Sequence, residues 1–273
     1  MSPFDLTNLA ALKAWLGLPS VPGPNDATLT ALVTAASRSI HAWLSRPSLL
    51  PFSYAETIDL ETSRITLRQW PVLQVTAVTW RGIAVPPDEN ADLEASVGYA
   101  LEPGDGIPPG RPQALDLFGH QYRSGRQSLV VSYSAGYAVQ SEAQAVPTAA
   151  PLQLSTFSPY GPWGSDLGVT YATTGAPLAA VSASPGAGQY VVSAGTYSFS
   201  AADAGQSVSI SYGYVPQDIA QAALELAAER FRAADHIGLK SKSIGGQETI
   251  AYDTSPMSAP IQAMLQPYKR VIL

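Results

Sequence analysis

Two segments with helical periodicity stand at opposite ends of the chain, with a long run of strand-like alternation between them. An amphipathic helix is stable mainly through the covering of its apolar stripe. The two ends are therefore expected to find each other, leaving the alternating residues as an excursion between them. At the N-terminus Leu9, Leu12, Trp15 and Leu16 recur at helical spacing and stop at Gly17 and Pro19. Asn25 or Asp26 then offers an N-cap to a second helix striped by Leu29, Leu32, Val33, Ala36, Ile40, Trp43 and Leu44, which Arg46-Pro47 ends. Near the other end Pro216, in a favoured first helical position, opens a helix lined by Ile219, Ala222, Ala223, Leu226, Ala227 and Phe231. Trp15, Trp43 and Trp70 read as core residues.

From Tyr54 to Tyr137 the pattern has period two, as in Glu56-Thr57-Ile58-Asp59-Leu60 and Val75-Thr76-Ala77-Val78-Thr79-Trp80. Alternation rich in β-branched residues and broken by Pro and Gly predicts short antiparallel strands. Pro103 to Pro112, with four prolines and three glycines, predicts a loop. A second alternating stretch runs from about Val139 to Val215, with Ala194-Gly195 as a hairpin turn. It carries no Lys, Arg or His, and its charges are Glu142, Asp166 and Asp203. The two stretches end alike, one in SYSAGY and the other in ISYGY, and removal of the second would join Tyr137 to Val215-Pro216 with the strand-to-helix junction intact. The organisation expected is a helical hairpin over 1–53, a small β domain over 54–138, an inserted β module over 139–213, and a helix, arm and tail over 214–273. The expected fold class is α+β: a helical bundle formed by the N-terminal hairpin and the C-terminal helices, with a small antiparallel β domain and an inserted β-rich module.

Only 13% of the 273 residues are charged, about half the ~25% of an average domain. A surface so poor in charge is one expected to meet other protein. The net charge of -6 argues against a protein held to nucleic acid by phosphate contacts, which needs a clustered basic face. There is no cysteine, hence no disulfide framework and no thiolate metal site. No run of about 18 apolar residues is present, and the first twenty residues lack the pattern of a signal peptide, so a protein made and used in the cytoplasm, without membrane insertion, is expected.

Candidate chemistry is sparse. Gly238 to Gly246 mixes glycine, lysine and serine but lacks the order of a phosphate-binding loop and follows a helix. It reads instead as an extended polar arm whose Lys240 and Lys242 can meet acidic groups of a neighbour or passing DNA. His41, His120 and His236 lie far apart without metal-ligand spacing, and no nucleophile elbow occurs. No catalytic residue, metal or cofactor is expected, and the chain is not read as an enzyme. Tyr160 and Trp163 lie in a Pro/Gly loop, where exposed aromatics can contact a partner or cap a small β core.

Four segments in order carry a resemblance: LTNLAALKAWLGL with NDATLTALVTAASRSIHAWLSRP, then RITLRQWPVLQVTAVTWRGIAV, then VVSYSAGY, then VPQDIAQAALELAAERFRAADHIGLKSKSIGGQETIAYD. Over about residues 5 to 137 and 214 to 270 the chain resembles the head-to-tail connector proteins of tailed phages, also called adaptor or head completion proteins. The segment 139–213 departs from the family's usual size and resembles a β module of phage structural proteins. The resemblance implies a virion protein at the neck, assembled in the host cytoplasm and forming a ring usually of twelve copies under the portal protein. Such a ring extends the DNA channel, lets DNA pass without sequence-specific binding, and gives the next neck or tail-completion protein a platform. It also implies that the arm and tail contact the portal or a neighbouring copy through Lys240, Lys242, Ile244, Gln247, Tyr252, Tyr268, Lys269, Arg270, Val271, Ile272 and Leu273. Two alternatives stand beside it. One is a β-rich decoration or receptor-binding protein of the virion surface using Tyr160 and Trp163. The other is a glycan hydrolase, which would need a carboxylate pair that no motif selects.

Overall fold

The computed structural model describes residues 4–88, 97–106, 108, 110–119, 122–234, 241–244, 248–251 and 255–270. The chain divides into two units: one of residues 1–47 with 216–269, the other of residues 48–215 with 270–273.

The first unit holds four helices, α1 (Leu9–Trp15), α2 (Asp26–Leu44), α3 (Gln217–Ala233) and α4 (Ala259–Leu265). Asn8 caps α1 by accepting from the amide of Ala11 at 2.8 Å. Ser45, in the left-handed region at φ 56°, ends α2, and the Arg46 amide turns back to the His41 carbonyl at 3.1 Å. Helix α3 buries Ile219, Ala222, Ala223, Leu226 and Ala227, and it packs against α1, α2 and α4. Arg230 on α3 donates to Ser39 Oγ on α2 at 2.8 Å. The Lys13 ammonium is buried but satisfied, donating to Val21 O at 2.6 Å and to Asp26 at 2.8 Å.

The expected fold class is corrected here. The chain is mostly β-sheet and is not organised as a helical bundle. Among the described residues the second unit alone holds fourteen strands in four sheets, whereas the helices number four. Helices α1 and α4 have seven residues each, about two turns, too short for the matched helix lengths of a bundle. Periodicity shows that an apolar face exists. It does not make that face long enough to organise a molecule of this size.

In the second unit β1 (Phe52–Leu60), β7 (Gly125–Ala135), β3 (Val72–Trp80) and β4 (Ile83–Val85) form one sheet in the order β1-β7-β3-β4. A smaller sheet has the order β2-β6-β5, with β2 (Arg64–Thr66), β6 (Ala114–Phe118) and β5 (Gly98–Leu101). Every pairing in both is antiparallel. Leu60, Leu67, Val78, Leu115, Leu117, Leu129, Val131 and Tyr133 make up their shared core. The Tyr133 hydroxyl donates to the buried Glu56 carboxylate and accepts from the Gln69 amide at 3.1 Å.

Two further sheets follow. One has the order β10-β14-β8, from β10 (Trp163–Tyr171), β14 (Ser207–Tyr214) and β8 (Ala138–Ala145). The other has the order β11-β12-β13-β9, from β11 (Ala179–Ala180), β12 (Gln189–Ser193), β13 (Thr196–Phe199) and β9 (Gln153–Ser155). Ala194 and Gly195, both at positive φ, close the β12–β13 hairpin. All three carboxylates of this region hold tyrosine hydroxyls. Glu142 accepts from Tyr212 at 2.7 Å. Asp166 accepts from Tyr190 at 2.6 Å and Tyr197 at 3.0 Å. Asp203, 3% exposed, accepts from Tyr171 at 2.5 Å, Ser200 at 2.7 Å and the Gly188 amide at 3.2 Å. Burial alone would raise the Asp203 pKa, but the Tyr171 and Ser200 hydroxyls and the Gly188 amide outweigh it and hold the carboxyl below its ordinary range. Burial, then the Glu142 carboxylate, push the Tyr212 phenol up to about 12.

The sheets β1-β7-β3-β4 and β10-β14-β8 meet at the segment Leu49–Pro51. The Tyr137 amide donates to Leu49 O at 2.9 Å and the Tyr214 amide to Tyr137 O at 3.1 Å, with the two rings 5.8 Å apart. A Cβ on Gly136 would lie 2.4 Å from the Pro51 nitrogen, and one on Gly213 would lie 2.7 Å from Pro51 Cδ. Gly136 also sits at φ +148°.

Two outcomes follow for stability. Gly136→Ala should cost about 3 kcal/mol or more, because backbone must move. Gly168→Ala, also at positive φ but with no atom within 4 Å of the new Cβ, should cost about 1–2 kcal/mol. Urea denaturation of both variants checks this, and equal losses would show that backbone torsion alone sets the cost. For Asp203 the lowered folded pKa means its contribution is present above the ordinary carboxylate range and lost as pH falls through the folded value. Asp203→Asn should therefore remove about 1–3 kcal/mol at pH 7 and flatten the acid limb of the stability curve. Tyrosine near-ultraviolet circular dichroism along an acid titration gives the comparison.

Candidate interaction surfaces

Within the helical unit the arm contains two strands, β15 (Ser241–Ile244) and β16 (Glu248–Ala251), paired antiparallel with Lys242 opposite Ile250 and Ile244 opposite Glu248. Lys240, Gln247 and Tyr252 of the expected contact set lie outside the described residues, as do Val271, Ile272 and Leu273. Of the tail residues that are described, Tyr268 and Lys269 have partners on the helices. Tyr268 donates its hydroxyl to Asp218 Oδ2 at 3.1 Å, and the Lys269 ammonium lies over the Trp43 ring at 4.4 Å.

The tryptophans read as core separate into three cases. Trp70 is fully buried, Trp43 is half-buried under Lys269, and Trp15 is 48% exposed. Helix α1 is too short to wrap all its apolar positions, and Leu12 alone of them is fully buried. Phe4 and Val21 join Trp15 as exposed apolar groups of this unit. His41 stands between the carbonyls of Arg46 at 3.1 Å and Phe4 at 3.2 Å. Burial pushes its pKa below the ordinary value against the opposing pull of those carbonyls. His120 and His236 lie outside the described residues, and among the described residues no group of three or more His, Cys, Asp or Glu is placed to hold a metal ion.

In the β unit Tyr160 is 44% exposed, with its ring 5.5 Å from that of Tyr214. Trp163 is half-buried and its indole donates to the Tyr197 hydroxyl at 3.3 Å. The loop is thus divided, Trp163 fastened into the fold and Tyr160 half open. Phe157, on the same loop, is the most open large apolar side chain among the described residues at 71% exposed. Composition gave no sign of it, since a phenylalanine between polar residues reads equally as an inward strand position.

A second surface involves strand edges. β1 is the outermost strand of its sheet and β2 the outermost strand of its own. Residues of both line an open cleft of about 820 Å³ whose floor includes Ile65, Leu67 and Trp70. Arg64, Arg68 and Arg270 also line it. Arg64 pairs with Glu102 at 2.6 Å, and Arg68 is 3.8 Å from Glu56; both side chains are more than half exposed. Arg270 Nε is buried without a hydrogen-bond partner among the described residues.

No protein-family model matches the chain, and no curated protein matches it. Among solved structures it is similar to a chain described as the neck of an empty GTA particle computed with C6 symmetry. That alignment has 14% identity and a TM-score of 0.37, over 100% of this chain and 94% of the other. At this TM-score the two chains do not define a common fold.

Phe157→Ser should leave the unfolding midpoint unchanged, within about 0.5 kcal/mol, because the ring is already in water. Trp163→Phe should lose about 1 kcal/mol with its hydrogen bond to Tyr197. Thermal denaturation of the two variants separates a contact residue from a structural one.

Proposed function

We propose that the protein is a structural component of the neck of a tailed phage-like particle. In this proposal it is a ring-forming adaptor that docks under the portal, extends the DNA channel and presents a platform to the next neck or tail protein. The observation that carries the proposal is the distribution of exposed large apolar side chains over a surface with few charges. Phe4, Trp15 and Val21 open from the helical unit, and Phe52, Ile83, Val97, Phe157, Tyr160 and Leu167 from the β unit. Single exposed apolar residues are common. Their presence on both units of a chain with 13% charged residues fits a subunit covered by several neighbours. A ring requires such a surface, since a heterologous contact uses two different faces of each copy. The order of the four segments that resemble the connector family supplies the class of assembly.

In this role the protein acts mechanically and catalyses nothing. DNA passes without being gripped, because each phosphate neutralised by a cation adds affinity through counterion release, and the chain is net acidic. The exposed pair Phe157 and Tyr160 favours a second role, a decoration or receptor-binding protein of the virion surface.

Electron microscopy of a lysate from a phage lacking this gene tests the proposal. The expected result is empty or leaking heads beside complete, unattached tails. Normally tailed particles that fail to adsorb would overturn the neck role and establish the surface one.

A further inference from the structure

We propose that the cleft lined by β1 and β2 is a docking site for an extended, carboxylate-bearing peptide segment of a partner protein, bound as an added strand. The site does not depend on the neck role, and either can fail alone.

Three features point to this occupant. The first is the backbone. β1 is nine residues long and forms the edge of its sheet, and β2 forms the edge of the other. An unpaired edge presents a row of amide and carbonyl groups spaced for another strand, and proteins normally shorten, bulge or cover such an edge. β1 reaches the cleft through Thr57, Ile58 and Asp59, at the end where its register shifts between Ile58 and Leu60, and from Phe52 to Ile58 it pairs with β7 without interruption. Strand addition to such an edge is a common mode of peptide recognition, in which main-chain hydrogen bonds supply affinity and side-chain pockets supply specificity.

The second feature is the shape and lining of the cleft. The half-buried Ile58 and the exposed Thr57 and Thr66 line it where one face of an alternating peptide can meet them, with Ile65, Leu67 and Trp70 buried behind. The third is charge. Three of the fifteen basic residues of a net acidic chain line this one cleft. Arg64 and Arg68 are open enough to be recruited, and the nearest carboxylate to Arg68 stands at 3.8 Å, beyond a close ion pair. Arg270 brings a buried guanidinium nitrogen that no described group satisfies, a state that an incoming acceptor relieves. Planar guanidinium forks match carboxylates in two-pronged geometry. Asp59 and Glu61 also line the cleft and set the position of the incoming acid away from themselves.

The probe is a fluorescein-labelled twelve-residue peptide of alternating Thr and Glu, titrated with the full chain and followed by anisotropy. A matching Thr-Lys peptide and a twelve-nucleotide single-stranded DNA serve as comparisons. The expected result is saturable binding of the Thr-Glu peptide and no binding of the Thr-Lys one. Binding should weaken on the order of tenfold in the double variant Arg64→Ser, Arg68→Ser. Hydrogen exchange should also slow at β1 and β2 amides on adding the peptide, a readout that attraction of charge alone would not move. The proposal is overturned if the Thr-Glu peptide does not bind, if the double variant binds it equally, or if DNA binds as tightly. It is also overturned if binding leaves exchange on both strands unchanged. Far-ultraviolet circular dichroism of the double variant is measured alongside. Should that variant unfold, Arg68→Lys, which keeps charge but not the fork, takes its place and is expected to weaken binding.

Discussion

The β unit depends on one close approach, the backbone of Leu49–Pro51 passing within contact distance of Gly136 and Gly213. Two strands from different sheets, β7 and β14, deliver those glycines to the same place. The amides that follow them continue a chain of bonds from Tyr214 to Tyr137 to Leu49. A side chain at either glycine would push the segment away and open the joint. The two tyrosines beside it bury their rings against each other, so the contact excludes water as well as fixing distance. Everything downstream inherits its position from this joint: the start of β1, the end of β7, and the strand that leads into Val215.

The similar strand endings of the sequence thereby acquire a physical use. SAGY and YGY each place a glycine against Pro51 and a tyrosine against the other tyrosine. Their likeness was visible in the residues, but its cause was not. A glycine required by close approach looks the same in sequence as one that merely ends a strand.

Strand alternation was legible wherever one face was buried. Glu56 to Leu60 and Val75 to Trp80 fall within β1 and β3, and the Ala194-Gly195 turn shows the positive torsions that its sequence suggests. The dominance of sheet over helix was harder to see, because a helical stripe draws attention out of proportion to its length. The arm's composition predicts an extended polar segment, although Ser241-Lys242-Ser243-Ile244 and Glu248-Thr249-Ile250-Ala251 around a glycine pair carry a hairpin pattern. Exposure was least legible. Trp15 and Phe157 are open because of what fails to cover them, and Trp163 is fastened by a tyrosine thirty-four residues away. The edge-strand cleft was likewise invisible, since periodicity identifies a strand but says nothing of its place in the sheet.

The carboxylate–tyrosine clusters have a further consequence for how this molecule can be dismantled. With its acids satisfied by phenols, the region after β7 needs no basic partner, and the chain holds no Lys or Arg between Arg126 and Arg230. A protease that cuts only after basic residues therefore finds no peptide bond to attack over that whole length, folded or unfolded. Most of β7, all of the second pair of sheets and most of α3 would leave a tryptic digest as one uncut fragment.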